Sequence, residues 1–271
     1  MRRSITQGEP GIRAATDKEK NDPLFVQGTQ RTMQILSAFH QTSRPMSLDE
    51  IAAASGVGRS SAQRILHTLR VLGYIERSDD GRGFIPGLRM LDHTLDYLRL
   101  NPLIARASPV LLELRRNTME RVDLSIFDDL RLVYASRLQS KRETFFATLV
   151  GHSVPTFCTA GGRAILSHLP DHDVDDIIRR SDRSPFTDKT ITAPAKLRAK
   201  VQEARVAGYA LTVEEVLVGE VGIGVAVLGL GGRPVGAIHV AGSLSEWTPE
   251  SFCARFAPLA VEAANAINSL R

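Results

Sequence analysis

Residues 46–77, MSLDEIAAASGVGRSSAQRILHTLRVLGYIER, leave the chain little choice of local structure. Ser47 followed three residues later by Glu50 is a capping box, and Met46 with Ile51 is placed as a hydrophobic staple, so a helix starts at Leu48. Ser55-Gly56 breaks the pattern after LDEIAAA, and a second helix begins near Arg59. Two helices around a tight glycine turn are a helix-turn-helix. On a helical wheel, residues 59–72 put Ala62, Ile65, Leu66, Leu69 and Leu72 on one side. Ser60, Ser61, Gln63, Arg64 and His67 fall opposite, so one face is core and the other can only make hydrogen bonds.

A polar helix face is by itself an ordinary solvent face. Here three features add to it: the capping-box helix before it, the absence of acids, and a hairpin after it. No Asp or Glu occurs from Ile51 to Ile75, whereas Arg59, Arg64 and Arg70 lie in that stretch. The sequence YIERSDDGRGFIPG reads as two short strands around an Asp-Asp-Gly turn, a wing with Arg82 at its tip. The outward set suits the major groove, since Arg can grip guanine bidentately and Gln can pair with adenine. Arg59, Arg70 and Arg82 sit at the flanks, better placed for phosphates. Double-stranded DNA is therefore the partner expected for Arg59, Ser60, Ser61, Gln63, Arg64, His67, Arg70 and Arg82.

Composition adds bounds. With 43% apolar and 24% charged residues in 271, the chain is globular and long enough for one large or two ordinary domains. A net charge of +4 permits an anionic partner without demanding one. Residues 1–24 are polar and lack an apolar period, which reads as a disordered tail. Residues 25–87 form the helix-turn-helix with its wing. Residues 88–101 carry leucines at 88, 91, 95 and 98, the spacing of one helical face, and read as a linker helix needing a partner.

From residue 102 to 271 strand and helix patterns mix. VDLSIFDD, RLVYASR, ETFFATLV, YALTV, IGVAVLG and VGAIHVAG read as strands. TAGGRAILSHL, DVDDIIRRS, PAKLRAKVQEARVAG and the closing TPESFCARFAPLAVEAANAINSL read as helices. Short turns between neighbouring strands imply a largely antiparallel sheet, so the fold class is α+β. Alternation places Val235, Ala237, His239 and Ala241 on one sheet face, and Gly222, Gly224 and Ala226 on another strand's face. Such small side chains leave space for an apolar pocket with His239 as its polar group, or else admit a closely packed helix over a satisfied core histidine. Thr159 can cap a helix whose first N–H groups, at Ala160 and Gly161, would attract a carboxylate.

Other chemistries have thin support. Cys158 with His152 and Glu214-Glu215 could be cast as nucleophile, base and orienting acid, but no G-x-S-x-G elbow exists and a Cys at a helix start is usually a packed residue. HDVDD and SHLPDHD read as a solvated helix entrance, HExxH is absent, and GLGG lacks the helix a dinucleotide fingerprint needs. No metal and no cofactor is expected. Cys158 and Cys253 stand far apart without a CxxC, as in a reducing cytoplasm. The longest apolar run, VGIGVAVLGLGG, is about half of a membrane span, and no targeting segment is visible.

The segments FVQGTQRTMQILSAFH, MSLDEIAAASGVGRSSAQRILHTLRVLGYIER and FIPGLRMLDH, followed by PTFCTAGGRAILSHLP, GYALTVEEVLVGEVGIGVAV and VGAIHVAGS, resemble the IclR family of bacterial transcription regulators from about Phe25 to the C-terminus. The resemblance implies a winged helix-turn-helix, a dimerising linker helix and a C-terminal GAF/PAS-like domain that binds a small organic acid. It implies a homodimer or dimer of dimers on a pseudo-palindromic operator, in the cytoplasm. Carried over by position, the family's effector contacts fall on Ala160, Gly161, Thr212, Gly222, His239 and Ala241, to which the residue reading adds Thr159 and Gly224. Acidic residues are frequent in the family where Thr212 stands, and hydroxyl residues where His239 and Ala241 stand. These departures suggest an effector larger than a two-carbon acid, such as a ring-containing carboxylate. A GAF-like enzyme domain fused to a DNA-binding module is the alternative reading.

Overall fold

In a computed structural model that describes residues 15–140 and 150–269, the Ser47 hydroxyl accepts the Glu50 N–H at 3.3 Å and the Glu50 carboxylate accepts the Ser47 N–H at 2.8 Å. This reciprocal cap starts helix α3, Leu48–Ser55, the third helix after α1 (Asp17–Lys20) and α2 (Gln27–Ala38). Gly56 ends α3 at φ +67°, a left-handed conformation that favours glycine, and α4 follows over Arg59–Val71. Strands β1 (Ile75–Arg77) and β2 (Phe84–Pro86) make an antiparallel hairpin, and α5 covers Arg89–Leu100.

Met46 does more than staple α3. Its backbone pairs with Phe84 in both directions, at 3.0 and 2.8 Å, which ties the hairpin to the start of α3. Beneath lies one apolar cluster in which Ile35, Ile51, Ala62, Leu66, Leu69 and Ile75 are buried. One expectation is corrected here. Leu72 belongs to no core: it is the residue after α4 and 56% exposed, because helical spacing carries it to the edge of the stripe centred on Ala62, Leu66 and Leu69. Of the stretch read as a disordered tail, residues 1–14 lie outside the described residues; beyond them Asp17–Lys20 form a one-turn helix held by a Thr16–Glu19 capping box, with none of its residues buried.

The chain divides into two compact units that part between Leu98 and Arg99. The second begins with α6, Pro102–Thr118, capped by the Asn101 side chain on the N–H groups of Leu103 and Ile104. It continues through β3 (Arg121–Asp128), β4 (Arg131–Leu138), β5 (Ser153–Pro155), α7 (Ala160–Leu166), α8 (Asp171–Arg180) and α9 (Pro194–Ala207). It closes with β6 (Ala210–Val213), β7 (Glu220–Leu228), β8 (Pro234–Ser243) and α10 (Pro249–Ser269). The strand read in ETFFATLV falls, except for Val150, outside the described residues, and β5 was not anticipated. The six strands run in the order β5-β4-β3-β8-β7-β6, every pair antiparallel.

Strand parity assigns the two faces of this sheet. Gly236 and Gly242 face Leu103 of α6 and Phe252 of α10, whereas odd-numbered His239 and Ala237 face Gly161 of α7. Helices α6 and α10 thus cover one face and α7 the other. The second face carries polar side chains on its central strands: Arg121, Asp123 and Ser125 of β3 lie opposite Ala241, His239 and Ala237 of β8. That band borders the site described below.

Candidate functional sites

In the first unit, α4 and the hairpin enclose a cleft of about 680 Å³. Gln63, Arg64, His67, Thr68 and Arg70 line it from α4, Arg77 and Arg82 from the hairpin, with Leu48, Leu66 and Phe84 between them. Four guanidinium groups and no carboxylate face this space, which gives it a positive field suited to a polyanion. Ser60, Gln63, Arg64 and His67 are exposed and Ser61 is half-buried. Gly58 provides no side-chain cap, so the first N–H groups of α4 meet solvent beside Arg59 and Ser60.

Arg59 departs from the expectation of a free phosphate ligand. Its Nε donates to Asp49 Oδ1 at 2.5 Å, because the capping-box helix that precedes the acid-free run places Asp49 next to α4 in space. Both side chains are well exposed, so the pair is weak and can be exchanged. Arg77 is the residue the sequence reading missed: its guanidinium lies 4.3 Å over the Phe84 ring, and it lines the cleft with Arg82. Period-two alternation in YIER was the available signal. The wing turn is held by Asp80, which accepts the Ser78 hydroxyl at 2.6 Å and the Arg82 N–H at 3.0 Å. Those two bonds keep its carboxyl below the usual range, the Ser78 bond foremost.

In the second unit, Thr159, Ala160, Thr212, Gly222, His239 and Ala241 line one cavity of about 40 Å³, enough for a couple of water-sized occupants. Gly161 and Gly224 do not line it. A Cβ on Gly224 would stand 2.2 Å from the Ala160 carbonyl carbon, and one on Gly161 would stand 2.2 Å from His239 Cε1. These glycines are where α7 presses on β7 and β8. Gly222 is different, for a Cβ there would come no nearer than 3.4 Å, to Thr212 Oγ1, an ordinary contact. The space expected over Gly224 and Ala226 is filled by α7, and both Ala226 and Ala237 are buried.

His239 is 6% exposed and its Nε2 lies 2.8 Å from Ser125 Oγ, with the Tyr134 ring edge-on at 5.6 Å. Burial pushes its pKa down to about 4, since Arg121 and Arg137 oppose the pull of Asp123, and the imidazole is neutral at pH 7. The seven residues of α7 are all buried, and the Thr159 hydroxyl accepts the Gly162 N–H at 3.2 Å while donating to Pro155 O at 3.0 Å. The helix start is therefore covered, where N–H groups open to an anion had been expected at Ala160 and Gly161.

The cavity wall also contains Arg121, Tyr134, Glu214, Glu215 and Glu220, none of them anticipated as ligand contacts. Glu215 is bound by Arg163 and Glu220 by Arg121. Glu214, at φ +56°, accepts the Gly219 N–H at 2.9 Å and so shapes the loop between β6 and β7. Cys158, His152 and Glu214-Glu215 make no catalytic constellation: Cys158 is fully buried and Glu215 is engaged with Arg163. Among the described residues, no cluster of His, Cys, Asp and Glu is placed to hold a metal ion, and no helix is long and apolar enough to cross a membrane.

Residues 28–79 match the family model described as the IclR helix-turn-helix domain, and residues 95–269 match that of the bacterial transcriptional regulator IclR C-terminal. The chain is 26% identical over 245 residues to the Pca regulon regulatory protein of Pseudomonas putida, covering 89% of this chain and 83% of that protein. The crystal structure of an IclR transcriptional regulator from Alicyclobacillus acidocaldarius superposes with a TM-score of 0.78 at 21% identity, over 90% of this chain and 98% of that one. An IclR homologue from Microbacterium hydrocarbonoxydans, complexed with 4-hydroxybenzoate, superposes at 0.71 and 20% identity, over 89% and 98% of the two chains.

Proposed function

We propose that this chain, which belongs to the IclR family of bacterial transcriptional regulators, binds a pseudo-palindromic operator as a homodimer or dimer of dimers and releases or grips it in response to a small organic acid. The observation that carries the DNA reading is the cleft between α4 and the wing, with Arg64, Arg70, Arg77 and Arg82 on its walls and no carboxylate among its lining residues. Arg64 and Gln63, on the exposed face of α4, are the base readers, with His67 beside them. Ser60, Ser61 and the α4 N-terminus meet phosphate, and Arg70, Arg77 and Arg82 hold the flanking backbone. Arg59 joins them by exchanging Asp49 for a phosphate.

Homodimer formation is supported by α5, where Leu91 and Leu95 are 62% and 63% exposed and Leu88 just before it is 69% exposed. A contiguous exposed leucine stripe marks a surface that another surface covers. The site of the chain's work is the cytoplasm, where operator DNA is.

The effector site is the cavity bounded by Thr159, Ala160, Thr212, Gly222, His239 and Ala241, and the homologue that holds 4-hydroxybenzoate supports a carboxylate as its guest. Gly161 and Gly224 serve it as packing, not as contacts. At about 40 Å³ the cavity is too small for a ring-containing acid, so its walls must move for one to enter. Because a ligand can shift the dimer only by its differential affinity for two forms, operator affinity and effector affinity are reciprocally coupled. Footprinting of full-length protein on an operator selected from genomic fragments tests the reading. Two protected half-sites about one helical turn or a multiple apart are expected; a single asymmetric footprint contradicts it.

A further inference from the structure

The charged wall of the cavity has a definite order. Arg121 opens β3 and Glu220 opens β7, and Arg121 Nη1 donates to Glu220 Oε2 at 2.6 Å. On its other side Arg121 Nε donates to Asp123 Oδ2 at 3.1 Å, and Asp123 also accepts two bonds from Arg137, at 2.7 and 3.1 Å. The two carboxylates are unequal. Asp123 is inaccessible, fixed in a central strand and satisfied by two guanidinium groups, whereas the Glu220 side chain is 23% exposed and faces the cavity. Arg121 and Arg137 share Asp123 and Glu220, so withdrawing Glu220 turns one face of the Arg121 guanidinium to the cavity, where the remaining Glu214 carboxylate is held on the Gly219 N–H.

We propose that Arg121 is the anion anchor of this cavity and that Glu220 occupies the anchor until an organic carboxylate displaces it. The proposal rests on the cavity being the effector site. A planar guanidinium fork matches a carboxylate, and exchanging one carboxylate for another leaves the charge of the site unchanged. Only 17% of the Arg121 side chain is exposed, so binding adds little desolvation cost on its side. Burial works against its charge, and Glu220 and Asp123 more than offset it, so the guanidinium stays charged. A tethered carboxylate competes at an effective concentration on the order of millimolar, so an acid succeeds only when the rest of the molecule makes further contacts. That requirement selects against the small acids abundant in a cell.

The Glu220 carbonyl accepts the Glu214 N–H at 2.8 Å and its N–H donates to Leu217 O at 3.2 Å, so the Glu220 backbone anchors the loop that walls the cavity and stays in place when its side chain swings away from Arg121.

The test is calorimetry on full-length protein with 4-hydroxybenzoate, benzoate, pyruvate and succinate, and with 4-hydroxybenzamide as the uncharged control. Glu220→Gln should bind at least one acid about tenfold more tightly than the unaltered protein, and Arg121→Gln should weaken that acid by about tenfold or more. The amide should distinguish none of the three forms. Glu220→Gln that is folded by circular dichroism yet binds no acid at about 10 mM, or Arg121→Gln that binds as the unaltered protein does, overturns the proposal. Thr212→Phe, which fills the cavity, separates the two claims. If it abolishes acid binding while Arg121→Gln does not, the cavity stands and the anchor falls; if it changes nothing while Arg121→Gln abolishes binding, the cavity reading falls.

Discussion

Arg163 and Glu215 form a buried two-pronged ion pair, Nη1 to Oε1 at 2.5 Å and Nη2 to Oε2 at 2.7 Å, with neither side chain more than 5% exposed. Arg163 Nε also donates to Phe157 O, and Glu215 accepts the Ile191 N–H at 2.9 Å. The pair therefore joins α7 to the β6–β7 loop and to the segment around Ile191. Removing one partner strands a buried charge, and Glu215→Ala should cost about 3–5 kcal/mol of stability in urea unfolding. The double variant Arg163→Met with Glu215→Leu should cost less than either single change, since no charge is left unpaired. A loss below about 1 kcal/mol for Glu215→Ala would show the pair to be incidental.

His239 ties stability to pH. Its folded pKa, about 4, lies below the ordinary value of 6.5, so the unfolded chain binds the proton more readily. The stabilisation is fully present above pH 6.5, declines as pH falls through the window from 6.5 to 4, and is gone below it. Its size is on the order of 3 kcal/mol. His152 and His168 are also pushed down by burial and act in the same direction. His239→Gln, which can still meet Ser125, should flatten the pH dependence of the urea midpoint across that window. An unchanged slope would place His239 in contact with water in the folded state.

Two glycines two positions apart should behave oppositely. Gly224→Ala drives a methyl into the α7 backbone and should destabilise by about 1–3 kcal/mol or more. Gly222→Ala has room and should change stability by less than about 1 kcal/mol while narrowing the cavity it lines. Equal thermal-melt shifts for the two would mean that α7 can move off the sheet at little cost.

The sequence made the first unit legible because its signals are local. The Ser47–Glu50 cap, the break at Gly56 and the two faces of α4 are each set by residues within a turn or two of one another, and only Leu72 at the helix end was misplaced. Asp49 beside Arg59 escaped notice because their proximity comes from packing one helix on another. The second unit shows the same limit more strongly. Six of the eight residues expected around the effector do share one cavity: strand parity and a helix start pointed to five of them, and Thr212 came from the family resemblance alone. Whether the glycine face held a ligand or a helix depended on α7, more than fifty residues earlier in the chain. Arg121, Glu220 and the Arg163–Glu215 pair join positions that far apart or farther. The alternation Arg121, Asp123, Ser125 marked a polar strand face, but nothing local said what would stand across from it.

The leucine stripe of α5 should govern assembly. Leu91→Asp with Leu95→Asp places two charges on the surface proposed to be shared, and should turn a dimer at micromolar concentration into monomer in sedimentation equilibrium. Operator affinity should fall with it, because one half-site alone cannot hold the protein. A variant that remains dimeric would assign the contact to another surface.

Base reading by Arg64 is the central claim, and fluorescence anisotropy of the full-length protein on its selected operator and on a scrambled duplex of equal length tests it directly. Arg64→Ala should cost about 1–3 kcal/mol on the operator and much less on the scrambled duplex, while Arg82→Ala should weaken both alike and lower the salt dependence by about one phosphate contact. Equal losses on the two duplexes for Arg64→Ala would mean that the residue holds phosphate and that α4 does not read sequence through it.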